Sequence, residues 1–363
     1  MTPQVVELQL LAGDGNGNGN LDGVGAAARF SAPEGMAIDY ANVAYLADLG
    51  NAVIRKITPE GVVTTFAGTA GARGSDDGTG AAARFLQPTA VAVDTGGNVY
   101  VADQLAHTIR KITTAGVVTT LAGSPNSAGA VDGDGAVARF NGPNGIAVDL
   151  AKNLYVADEH NHTIRKITPA GVVSTLAGTA GMPGGTDGTG AAASFQSPSS
   201  LTIDSAGNLY VVQAGNALRK VTPAGVVTTV VSNKGITFAQ GVTTDGADNL
   251  YVADRGRHVV LKVTPAEDVT VVAGGDGIAG IADGAGPAAR FNGLSGIVIR
   301  SDGTIYVSDT QEHTLRAIAP SGTVTTLAGT PSLHGSADGT GADARFFLPG
   351  GVAVDRAGTL YVA

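Results

Sequence analysis

A single pattern of residues is written along this chain about seven times, and a repeat that regular decides the fold before any one residue does. Its clearest copy is PNGIAVDLAKNLYVADEHNHTIRKITPAGVVSTLAG, residues 143–178. The basic residue inside TIRKI and its equivalents falls at Arg55, Arg110, Arg165, Arg219, Lys262 and Arg316, at intervals of 55, 55, 54, 43 and 54 residues. Letters shared by every copy build the scaffold, and specificity lies where the copies differ. The array runs nearly end to end, so residues 1–363 read as one domain.

Each copy holds four short runs rich in Val, Ile, Thr and Tyr: GIAVD, NLYVAD, TIRKIT and VVSTLAG in the third. They alternate and are separated by turn residues, so they read as strands a to d. Four antiparallel strands per repeat make a blade of an all-β propeller. A connector of constant length, 17 positions from the closing Gly to the Phe of ARF, links most copies and is expected to be ordered and to end in one short helical turn at GAAARF. Blades are placed near 33–68, 88–123, 143–178, 198–231, 240–274 and 294–329, with a last one built from 349–363 and 5–13. Strands a and d occur seven times and strand c six, which predicts seven blades, the last closed by the N-terminal strand. Six blades is the alternative.

Composition narrows the function. With 22 Lys and Arg against 31 Asp and Glu, the net charge of −9 disfavours nucleic acid and anionic membranes as partners. There is no cysteine, hence no disulfide framework or thiolate chemistry. No apolar run reaches membrane-spanning length, and no secretory leader is visible in the sequence given.

The signature P-x-G-x-A-V-D-x-x-G-N-L-Y-V-A-D-x-x-N-H-x-I-R-K-I, carried almost whole at 88–123 and 143–178, resembles the NHL repeat. The connector AG-x-x-G-x-x-x-x-DG-x-G-x-A-A-R-F resembles that of bacterial and teneurin-type NHL arrays. The resemblance implies a propeller, most often six-bladed in that family. It leaves function open among protein or RNA platforms, sensors and adhesion modules, with lactonases and lyases on related folds.

Repeated polar residues read as scaffold. Aspartates ending strand a (Asp39, Asp94, Asp149, Asp204, Asp245, Asp355) and strand b (Asp48, Asp103, Asp158, Asp254, Asp309) are expected to cap their own turns. His107, His162, His258 and His313 share one position too far from the axis for a shared metal, and only His160 and His162 could cooperate. Arginines 29, 84, 139, 290 and 345 are expected to pair with Asp22, Asp77, Asp132, Asp283 and Asp338. Tyrosines and phenylalanines mostly occupy repeat positions, leaving few for a stacking platform. Asp14, Asn16, Asn18 and Asp22 have the look of a calcium loop, but the twelfth position is Gly25 rather than Glu, and an ordinary Gly/Asn turn is the better reading. No cofactor is otherwise expected.

Two features break the repetition on the face of the long connectors. The position opening strand a reads Glu34, Thr89, Asn144, Ser199, Gln240, Ser295 and Gly350, a varied polar set expected to line a channel mouth and bind a small ligand. Glu34 also resembles the metal-binding Glu of gluconolactonase-type propellers, although the matching Asn and Asp ligands cannot be placed. At the junction of blades 4 and 5 the connector is missing, Gln213 replaces the strand-b Asp, and Lys234, Arg255 and Arg257 lie beside His258, which reads as a docking site for an acidic partner. With no recognisable nucleophile, base or metal set, the chain reads as a non-catalytic, extracytoplasmic binding propeller for a protein or small ligand, a monomer or a segment of a larger surface protein. The alternative is a metal-assisted hydrolase, lactonase or lyase with its site near Glu34 and Asn144.

Overall fold

The computed structural model describes residues 7–8, 19–25, 27–214, 217–230, 235–335, 339–355 and 358–362. Its contacts divide the chain into two compact units, Gly19–Val230 and a second comprising 231–363 with the N-terminal segment. Within each, the alternating runs form antiparallel four-stranded sheets. Blade 2 is representative. Strands a to d, Pro88–Val93, Val99–Asp103, Thr108–Ile112 and Val117–Gly123, pair in sequence order, and Gly78–Thr79 from the preceding connector adds to the outer edge. The first unit holds four such blades, with strands a at Pro33–Ile38, Pro88–Val93, Pro143–Val148 and Pro198–Ile203. The second holds two, opening at Ala239–Thr244 and Leu294–Ile299.

The described residues therefore make a β-propeller of six four-stranded blades, and the expectation of seven is corrected. Val352–Val354 and Leu360–Val362 form a two-stranded sheet by themselves, and Glu7–Leu8 pairs with Gly339–Thr340 instead of with them. The register of that pair matches the one Val62 and Val63 take on Gly23 and Val24. The reason is the third strand: in every blade strand c bonds both b and d, and among the described residues no strand c pairs with Leu360–Val362, so the hairpin and Glu7–Leu8 share no neighbour.

The core lies between successive blades. Tyr100, Ala102 and Ile109 of blade 2 pack with Ile146, Leu154 and Val156 of blade 3, and the connector's Phe140 is fully buried among them. Phe85, Phe195 and Phe291 fill the same place elsewhere. Connectors end in a single 3-10 turn, as at Gly80–Ala82 and Gly190–Ala192. Small residues after the first position of strand a let neighbouring inner strands touch: a Cβ on Gly145 would sit 2.5 Å from the carbonyl oxygen of Ser199, and one on Gly35 2.6 Å from that of Thr89.

The repeated polar groups are consumed locally. Asp94 Oδ1 accepts from the Gly96 and Asn98 amides, and its Oδ2 accepts from Asn98 Nδ2 and the Tyr100 hydroxyl. Burial, then the adjoining aspartate, pushes Tyr45, Tyr100, Tyr155 and Tyr251 up to about 12. The strand-c arginine is more deeply enclosed. Arg165 is fully buried; it donates to the Arg139 and Val131 carbonyls, Asp158 and Asp132, and lies over the Phe140 ring. Arg55, Arg110 and Arg316 repeat this, and Arg219 does so without a strand-b carboxylate, so Asp22, Asp77, Asp187 and Asp283 pair with strand c rather than with the connector arginines. Arg84, Arg139 and Arg290 donate instead to nearby carbonyls. A buried guanidinium needs acceptors on every side, and those the connector carbonyls and carboxylate supply are lost with the connector. That accounts for blade 5. Its strand pairing aligns Leu261, not Lys262, with the arginines, and Leu261 is fully buried where no connector supplies acceptors. The assignment of Lys262 to the arginine position is thus corrected by one residue.

Candidate functional site

The b–c turns and the connectors meet at one end of the blades. Four contacts establish this in the first unit: Asn51 Nδ2 donates to Gly19 O, Asn161 Nδ2 to Gly129 O, the Gly142 amide to His107 Nδ1, and the Ser197 amide to His162 Nδ1. His313 Nδ1 likewise accepts from the Leu348 amide in the second unit. All four repeated histidines have left-handed φ near 58°, and His107, His162 and His313 thus pin their turns to the next connector. His162 is committed this way, so it does not join His160 in a ligand pair. His258 departs from its siblings: its Nδ1 is buried without a partner.

The polar positions opening strand a stand on neighbouring inner strands. In the first unit Glu34 is exposed, Thr89 buried, and Asn144 and Ser199 half-buried. Thr89 Oγ1 faces the carbonyls of Ala102 and Asn144, at 3.4 and 3.5 Å. Glu34 is accessible yet crowded by surrounding protein, and that partial desolvation raises its pKa. In the second unit Gln240 is exposed and Ser295 half-buried.

Two residues that sequence reasoning missed join this set. Glu159 Oε2 accepts from Asn144 Nδ2 at 2.9 Å and from Gln104 Nε2 at 3.2 Å, a contact bridging blades 2 and 3. Gln104 and Glu159 occupy the same place in their b–c turns, directly after the strand-b Asp, where other blades carry Leu49, Ala214, Arg255 and Thr310. That variation was the available signal, parallel to the one that exposed Asn144.

The junction residues fare differently. Gln213, in the first unit, is buried and its Oε1 accepts from the Gln196 amide, standing in for the aspartate it replaces. Lys234 lies outside the described residues. In the second unit Arg257 is bound through Nε and Nη2 to Asp276, at 2.7 and 2.6 Å, and through Nη1 to Gly235 O. Its charge is spent within the chain. Arg255 is half-buried. Of the calcium candidates, Asp14, Asn16 and Asn18 lie outside the described residues, and Asp22 is held by Arg55 and Thr65. No group of three His, Cys, Asp or Glu placed to share a metal occurs among the described residues.

Known proteins agree with this architecture. The NHL repeat model matches residues 140–167. Teneurin-3 of Danio rerio is 25% identical over 335 residues, covering 77% of this chain and 12% of its own length. Protein SUPPRESSOR OF QUENCHING 1, chloroplastic, of Arabidopsis thaliana is 30% identical over 274 residues, 66% of this chain and 26% of that protein. NHL repeat-containing protein 2 of Homo sapiens is 30% identical over 216 residues, 56% and 30%. The chain thus spans well under half the length of each of these relatives. Among solved structures, virginiamycin B lyase from Staphylococcus aureus aligns with TM-score 0.66 at 14% identity, covering 99% of this chain and 95% of that one; a streptogramin B lyase aligns equally well, covering 92% and 91%. At such identity the likeness is one of fold. The class is the β-propeller. The chain is an NHL-repeat β-propeller, the matched repeat lying at blade 3.

Proposed function

We propose that this propeller is a non-catalytic binding module that engages a protein or small ligand through the end of the blades carrying the b–c turns and long connectors. One observation carries the reading: the polar groups common to all blades are consumed by turn caps and buried arginine networks, while those that differ between blades collect at this end with bonding capacity to spare. Glu34, Thr89, Asn144 and Ser199 form the ligand-contacting row of the first unit, and Gln240 and Ser295 hold the equivalent positions within the second. The module acts outside the cytoplasm, by itself or within a larger surface protein. The junction is a weaker docking candidate, since Arg257 is neutralised by Asp276, leaving Arg255 and His258 to meet an acidic partner.

The test is a screen of small polar molecules and short peptides by heteronuclear NMR, mapping shifts on the assigned protein. Ligands should move the amides at 34, 89, 144 and 199, and Asn144→Ala should weaken them. Hits confined to the a–b turns at the opposite end would end the proposal. A metal-assisted enzyme would instead retain a stoichiometric metal through purification and lose thermal stability on chelation.

A further inference from the structure

The contact among Gln104, Asn144 and Glu159 has a directional consequence. A carboxylate is only an acceptor, so both side-chain amides must turn their NH2 groups toward it, which settles their orientation. An amide hydrogen of each is then spent inside the protein. Three acceptors remain, Glu159 Oε1, Asn144 Oδ1 and Gln104 Oε1, which have no hydrogen-bond partner among the described residues, beside one N–H left on each amide. The charge is also unspent. Five connector aspartates of the scaffold are ion-paired to buried arginines, whereas Glu159 and Glu34 form no ion pair among the described residues. None of the strand-opening positions carries Lys or Arg.

The geometry points to a ligand group that donates hydrogen bonds and bears positive charge: a primary ammonium, seated on Glu159 and Asn144. This rests on the binding reading above and gives it a chemical class. Glu159 supplies the charge and one strong acceptor. Asn144 both steers Glu159 and offers its own carbonyl oxygen, and Gln104 acts as a positioning residue that holds the carboxylate from the neighbouring blade. A divalent cation is the poorer occupant: it needs several oxygens in its coordination shell, and one carboxylate oxygen here is already taken by two amide donors. The ammonium could belong to a free alkylamine or to a peptide lysine, since the recognising chemistry is shared.

The experiment titrates the full chain by NMR with n-butylammonium, an Nα-acetyl-lysine methylamide, and the uncharged and anionic controls n-butanol and butyrate. One or both ammonium probes should bind with shifts at 104, 144 and 159, ahead of both controls. Binding of the lysine analogue alone assigns the site to peptides, and binding of butylammonium alone to free amines. Glu159→Gln, which keeps an acceptor but removes the charge, should weaken the ammonium probe by about tenfold or more, the worth of one charge-assisted hydrogen bond. Gln104→Ala should weaken it less while leaving the melting temperature unchanged, which separates positioning from folding. Equal affinity for butanol, or an unaffected Glu159→Gln, overturns the ammonium assignment. If probes then still move 89, 144 and 199 without charge preference, the binding face itself stands.

Discussion

Blade 6 carries a defect in the buried aspartate network that should be correctable by one substitution. In blade 3, Asp158 is fully buried and receives Asn161 Nδ2 at 2.7 Å and Arg165 Nη1 at 2.9 Å; burial pushes it up to about 6. In blade 6 the equivalent of Asn161 is Glu312, a buried carboxylate that cannot donate. It is held instead by Asn292 and Ser332, and Arg316 stands off Asp309 at 3.4 Å. Burial above all, with Glu312 adding repulsion, pushes Asp309 up to about 7. The higher value for Asp309 makes its ionised state the costlier of the two, by on the order of 1 kcal/mol. Glu312→Asn should restore the amide, which could bridge Gly280 O and Asp309 as Asn161 bridges Gly129 O and Asp158. The sign follows from proton linkage. Asp309 keeps its proton in the folded protein to a higher pH than in the unfolded chain, so the stability it lends is complete below pH 4 and is lost as pH rises through about 7. The substitution should therefore favour the folded state by about 1 kcal/mol more at pH 8 than at pH 5, the two Glu312 bonds forgone being lost equally at both. Urea unfolding of both proteins at the two pH values measures this through the midpoint shift. An equal shift at both, or one less favourable at pH 8 than at pH 5, would refute the reasoning.

Arg165→Leu should cost about 3–5 kcal/mol in the same assay, because it strands Asp158 and two carbonyls in the interior. Leu261→Arg should be comparably harmful, since blade 5 has no connector to receive a guanidinium; tolerance of both changes would contradict the network described. Gly145→Ala should destabilise by about 1–3 kcal/mol through the clash with the Ser199 carbonyl, whereas Gly246→Ala, with nothing within 4 Å, should be near neutral. Ultraviolet titration should find Tyr45, Tyr100, Tyr155 and Tyr251 ionising near 12, above ordinary tyrosine at 10.0, with folded stability falling as pH rises from about 10 to about 12.

Strand positions, the strand-a aspartate caps and the short 3-10 turn in the connectors were legible in the repeat, because each depends on contacts within one unit of it; the strand-b aspartates, expected to cap their own turns, instead take amides of the preceding connector, as Asp103 takes those of Leu86 and Gln87, and the pinning role of the histidines was not foreseen. The arginine partners were misread because two carboxylates per repeat, Asp22 and Asp48 in the first, are equally near in register, and only burial decides that strand c claims both. The junction patch looked basic because Asp276 lies 19 residues beyond Arg257 and nothing in the sequence brings them together. Glu159 escaped notice because its partners sit 15 and 55 residues away.

Periodicity by itself determined that this chain is a propeller of four-stranded blades and that its common polar residues are scaffold, since a unit repeated many times must satisfy its own turns. The number of blades, the destination of each charge and the cross-blade hold on Glu159 were decided by tertiary structure. Those depend on which strand edges find a partner and which groups lose water, and both are set by packing between repeats rather than within them.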